Sequence, residues 1–125
     1  MGRLQGPQET RSMTMALTRA FKDTVQARAQ REPAFRIGLL QEALDAFISD
    51  DLEAGKLLLR DYVNATVGFE GLGAALQKNP KSLMRMLSAE GNPRADNLFA
   101  VVAHLKSREG VSLRLAPSKV SRAEQ

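Results

Sequence analysis

Apolar positions recur along most of this chain at the three- and four-residue spacing of helices, and a few sharp punctuation points interrupt them. Leu17, Phe21 and Val25 fall every fourth residue, with Arg19, Lys22, Asp23 and Arg28 on other faces, which predicts a first helix. Pro33 biases Glu32 away from the helical region, so this helix stops near Arg31. Pro33 itself suits the first turn of a second helix, where its missing N–H costs nothing. Phe35, Leu39, Leu40, Ala43, Leu44, Phe47 and Ile48 then make a broad apolar stripe opposite Arg36, Gln41, Glu42 and Asp45. Ser49, Asp50 and Asp51 end that helix and cap a third, whose apolar face holds Leu52, Leu59, Tyr62, Val63 and Thr66 and whose end is marked by Gly68.

Beyond Gly68 the grain becomes finer. Residues 69–76 predict a short helix with Phe69, Leu72, Ala75 and Leu76 apolar, and Gln77, Lys78 and Asn79 form a tight turn. Asn79 is placed to cap, and Pro80 to start, another short helix that runs to Leu87. After a loop over residues 88–92, Asn92 caps and Pro93 starts a last helix, with Leu98, Val101, Val102 and Leu105 at i, i+3, i+4 and i+7. Gly110 ends it, and residues 111–115 alternate apolar and polar like a short strand. Residues 1–16 are polar and aperiodic and read as a disordered extension, with Met13 and Met15 as alternative starts. The expected organisation is that extension, a helical pair over 17–49, a helix-turn-helix unit over 50–110 and a strand or tail over 111–125. The expected fold is all-α, a bundle of about six helices.

Composition narrows the chemistry. Among 125 residues there is no cysteine, which removes disulfides, thiolate zinc sites, iron–sulfur clusters and thiol nucleophiles together. No apolar run approaches the ~20 residues of a membrane span, and no secretory signal is visible, so a soluble, cytoplasmic protein is expected. His104 has no second histidine beside it anywhere in the sequence, no serine has an evident triad partner, and the glycines form no phosphate-binding loop. Asp50, Asp51 and Glu53 fit helix capping better than a calcium loop. The expectation is a protein without enzymatic activity, catalytic residues, metal or cofactor.

The net charge of +4 is modest, but it is not evenly spread. Residues 1–50 carry seven basic against six acidic side chains, residues 51–77 two against four, and residues 78–125 nine against four. That asymmetry points to an anionic partner near the C-terminal third, the alternative being a basic tail and a solvated face. The short helix after Asn79 lies in that third. At about 100° per residue, Pro80, Leu83 and Leu87 cluster on one side of it and Lys81, Ser82 and Arg85 on the other. A guanidinium, a hydroxyl and an amine facing outward are the groups that read base edges: Arg85 is suited to the guanine O6/N7 edge, Ser82 to any base, Lys81 to a guanine or a phosphate. Lys78, Asn79, Asn92 and Arg94, on or beside the flanking turns, are candidates for phosphate contacts. A phosphate contact or a plain solvated charge stays open for Arg85, and an exposed helix-start arginine for Arg94. Met84 and Met86 are expected as core filler.

The segment from Pro80 to Leu87, followed by Gly91-Asn92-Pro93 and Asn97-Leu98-Phe99, resembles the helix-turn-helix addiction-module antidote (antitoxin) proteins, a branch of the Cro and phage-repressor-like DNA-binding class. Residues 21–31, 56–69 and 81–105 are also similar to a bacterial subgroup described as transcriptional regulators, so the resemblance spans about residues 15–115. It implies a repressor-type domain in which residues 69–76 brace the DNA backbone and residues 81–87 enter the major groove. It further implies a homodimer on a palindromic double-stranded DNA operator, repression of its own operon and, in the antidote branch, neutralisation of a small RNase-like toxin. A regulator with no toxin partner and a protein-interaction module that binds no DNA remain as alternatives. Two positions depart from the pattern: Gly73 stands where such domains often have Ala, and Gln77 where the turn often has Gly. The helices before Asp50 are open to two roles, a dimer or toxin surface around Phe21, Phe35 and Phe47, or completion of the core. Residues 111–115 are a candidate for pairing with a second copy.

Overall fold

The structure is a computed structural model that describes residues 23–118. The expected extension over residues 1–16 and the predicted helix start at Leu17 and Phe21 lie outside the described residues. Within them all regular structure is helical. Six helices follow one another: α1 over residues 23–31, α2 Pro33–Ile48, α3 Leu52–Ala65, α4 Gly68–Leu76, α5 Pro80–Met86 and α6 Ala95–Glu109. The all-α class and the helix number expected from the periodicity are observed.

The punctuation works largely as the residue chemistry dictates. Glu32 is extended (φ −116°, ψ 105°) and Pro33 opens α2. Asp51 accepts a hydrogen bond from the Ala54 N–H at 3.2 Å and so satisfies one of the free donors at the start of α3. Gly68, expected to close α3, instead opens α4 with φ 75°, and α3 ends at Ala65 with Thr66 as its C-cap, whose hydroxyl donates to the Tyr62 carbonyl at 2.7 Å.

One core runs through the bundle. Leu40 and Ala43 of α2 meet Leu59, Tyr62 and Val63 of α3, Phe69 and Leu72 of α4, Leu83 and Leu87 at α5, and Val101 and Leu105 of α6. The helices before Asp50 therefore complete the core through α2, although Ile48, counted in its apolar stripe, is 79% exposed. Arg36, expected on the polar face, is turned inward. Its Nε donates to both carboxylate oxygens of Glu109 at 3.0 Å, and a second guanidinium nitrogen donates to the Ala29 carbonyl at 3.0 Å. The buried Tyr62 hydroxyl donates to the same Glu109. This network ties α1, α2 and α3 to the end of α6.

Two further sequence expectations are corrected. Residues 111–115 form no strand, because a single strand has no partner among the described residues to take its backbone hydrogen bonds. Val111 is used to close α6: Gly110 turns left-handed (φ 71°), and the N–H groups of Gly110 and Val111 both reach the Lys106 carbonyl, at 3.0 and 3.2 Å. The last helix begins at Ala95, two residues later than expected, with Arg94 at its N-cap position in extended geometry (ψ 148°). Asn92 and Pro93 are thus part of the preceding loop rather than a cap and a first turn.

Candidate nucleic-acid interface

The α4–turn–α5 unit is built by close backbone approach. Gln77 ends α4 in the left-handed region (φ 56°, ψ 47°), and the Gln77 and Lys78 N–H groups both return to the Gly73 carbonyl, the latter at 2.9 Å. A Cβ on Gly73 would lie 2.6 Å from the Lys78 carbonyl oxygen and 3.0 Å from the Pro80 ring. Glycine at this position is therefore required by packing of the turn on α4. Gln77 pays the strain that the usual glycine of such turns avoids.

Asn79 caps α5 as expected, accepting from the Lys81 N–H at 2.8 Å. Leu83 and Leu87 turn inward, 2% and 0% exposed, and Lys81, Ser82 and Arg85 stand on the exposed side. Of the two methionines expected in the core, Met86 packs against it, whereas Met84 is 43% exposed. Met86 lies on the side of α5 that faces the following loop, and Met84 does not.

An open cleft of about 540 Å³ runs between the exposed side of α5 and the loop that leads into α6. It brings together six of the sequence-predicted residues: Lys78, Asn79, Ser82, Arg85, Asn92 and Arg94. Lys81 is exposed on α5 but lies outside the cleft. Glu90 also lines it and sets one negative charge against three positive ones. Lys78, Lys81 and Arg85 make no ion pair with any described residue. Arg94 is held by Asp96 at 3.4 Å, with side chains 79% and 67% exposed, an attachment weak enough in water to be exchanged for a stronger anion. The Asn79 side-chain oxygen is committed to its cap, so any anion contact there falls to its amide donors.

The loop itself is anchored by residues that the sequence reading did not select. Lys56 of α3, only 2% exposed, donates to the Ala89 carbonyl at 3.1 Å and the Gly91 carbonyl at 2.7 Å. Arg60, one turn later, donates to the Leu87 carbonyl at 3.4 Å. Lys56 is in phase with Leu52, Leu59 and Val63, and a cation on an apolar stripe was the available signal. The chain matches no family model, no curated protein and no solved structure.

Proposed function

We propose that this protein is a helix-turn-helix regulator that binds double-stranded DNA, with α5 entering the major groove and α4 bracing the backbone. The observation that carries this reading is the outward side of α5 and its cleft. Arg85, Ser82 and Lys78 share one open surface with Asn92 and Arg94, and Lys78 and Arg85 make no ion pair there with any described residue. Arg85 and Ser82 suit base edges; Lys78 and Arg94 suit phosphates on either side, with Asn79 and Asn92 as neutral donors and Lys81 at the open flank of the helix. No helix among the described residues is long and apolar enough to cross a membrane.

The resemblance to antidote proteins extends this reading to a homodimer on a palindromic operator that represses its own operon, and to a small RNase-like toxin as protein partner. Rescue of a neighbouring gene's toxicity on co-expression separates an antidote from a regulator with no toxin.

Binding to the protein's own upstream DNA and to random duplex across a salt series tests the central claim. Arg85→Ala is expected to cost about 1–3 kcal/mol and to relax sequence preference. Lys78→Ala is expected to weaken all sequences alike and to lower the salt slope by about one unit. Equal binding of wild type and Arg85→Ala to both DNAs overturns the assignment of α5. Absence of duplex binding at low salt returns the protein to the class of interaction modules.

A further inference from the structure

We propose that Lys56, which does not line the cleft, is the positioning residue that fixes its two walls, and that selective duplex binding depends on it; this rests on the DNA-binding reading above. One wall is α5, which carries Ser82 and Arg85. The other is the loop that carries Asn92 and Arg94. The walls are separate stretches of chain joined by residues 87–91; Ser88 ties that joint to the Arg85 carbonyl and Gly91 to the Ser88 carbonyl, and its ties to the rest of the domain come from α3.

Lys56 reaches the joint from below. Its ammonium is taken almost wholly out of water and has three donors, two of which are spent on the Ala89 and Gly91 carbonyls. Glu53, at 3.7 Å, faces the same ammonium but is 74% exposed. Arg60 adds a second cation, on the Leu87 carbonyl. Both positive charges thus sit where α5 ends, against the negative pole of its backbone dipoles. A buried ammonium adds little net stability over a well-packed apolar side chain, because its desolvation offsets the bonds it makes. It does something a methionine does not: it fixes two carbonyls in direction and distance.

The joint is equally constrained from above. A Cβ at Gly91 would lie 2.2 Å from the Arg85 carbonyl oxygen and 2.5 Å from that of Met86, so the loop already rests on the last turn of α5. The loop is held between α3 and α5 with no slack on the α5 side. Lys56 closes the other side. With Lys56 in place Arg85 and Arg94 keep one separation across the cleft; without it the loop keeps its local bonds and the Arg60 contact but loses the two that fix the Ala89 and Gly91 carbonyls, and the separation spreads.

The chain has no cysteine, so spin labels can be placed at Ser82→Cys and Asn92→Cys without background. The distance distribution between them is measured in the full chain with Lys56, with Lys56→Met and with Lys56→Arg, beside binding of the unlabelled proteins to upstream and random DNA. The expected result is a narrow distribution that broadens in Lys56→Met and narrows again in Lys56→Arg. The ratio of upstream to random affinity falls about tenfold in Lys56→Met, with random binding changed less than about twofold. Should Lys56→Met not melt cooperatively, Lys56→Gln, which keeps one amide donor group, replaces it with the same readouts. A distribution as narrow in Lys56→Met, or in the Lys56→Gln that replaces it, as in wild type overturns the clamp, whatever the DNA result. Wild-type protein with no preference between the two DNAs overturns the DNA reading, and the link to selectivity with it, even where the distribution broadens.

Discussion

Gly91→Ala, compared with Gly38→Ala in the same protein, isolates the cost of the tight joint behind α5. At Gly91 the new methyl would stand 2.2, 2.5 and 2.8 Å from backbone atoms of Arg85 and Met86, none of which is the mobile end of a side chain. Ordinary contact needs about 1 Å more, so the loop must retreat by that amount. Because Lys56 already holds the loop at 2.7 Å from the Gly91 carbonyl, a shift of about 1 Å forces that bond, and the one to Ala89, out of hydrogen-bond geometry. With about 1.5–3 kcal/mol for each hydrogen bond to a charged donor, the expected loss is about 3 kcal/mol. Gly38 lies inside α2 with nothing within 4 Å of its would-be Cβ. Alanine there is expected to stabilise by about 0.5–1 kcal/mol through helix propensity. For a domain of this length, 1 kcal/mol corresponds to about 4 °C in Tm. Circular dichroism melts should therefore place Gly91→Ala about 12 °C below wild type and Gly38→Ala about 3 °C above it. A Gly91→Ala protein that melts within about 2 °C of wild type refutes the tight contact and the load it places on Lys56.

Three further outcomes follow from other contacts. Gln77→Gly removes a left-handed non-glycine residue from an exposed turn and is expected to raise stability by up to about 1 kcal/mol in urea titration; a loss of stability contradicts the strain. Burial, helped by the hydrogen bond to Glu109, pushes the Tyr62 phenol above its ordinary range, so the folded protein keeps a proton that the unfolded chain loses above about pH 10. Its contribution is intact below that pH and declines above it by about 1.4 kcal/mol per unit; equal alkaline slopes for wild type and Tyr62→Phe refute this. Arg36→Ala leaves the nearly buried Glu109 carboxylate beside Tyr62 without its cation and is expected to cost about 2–4 kcal/mol, whereas Arg36→Ala with Glu109→Gln together costs less than the two singly. Additive losses in that cycle dissolve the network.

The local features of the fold were legible because they depend on neighbours in sequence. Pro33 and Pro80 at helix starts, the Asp51 and Asn79 caps and the Gly110 stop were each written in one residue and its immediate context. The inward pair Leu83 and Leu87 and the outward Lys81, Ser82 and Arg85 followed from helical phase alone. The expected strand over residues 111–115 failed for the opposite reason: alternation describes a strand's faces but supplies no second strand. Asn92 and Pro93 had the composition of a helix start, yet the Gly91 carbonyl is held by Lys56 and α6 begins only at Ala95.

By itself, then, the sequence determined that the described residues are helical, where α2, α3 and α5 begin and α6 stops, and which side of α5 faces water. These are matters of backbone preference and periodic burial. Tertiary structure alone decided that Lys56 reaches carbonyls 33 and 35 residues away, that Arg36 meets Glu109 across 73, and that Lys78, Arg85, Asn92 and Arg94 line one cleft. Periodicity tells a side chain to be inside or outside. It does not say which distant backbone group will be there to meet it, because that depends on how the helices pack once all their apolar faces compete for one core.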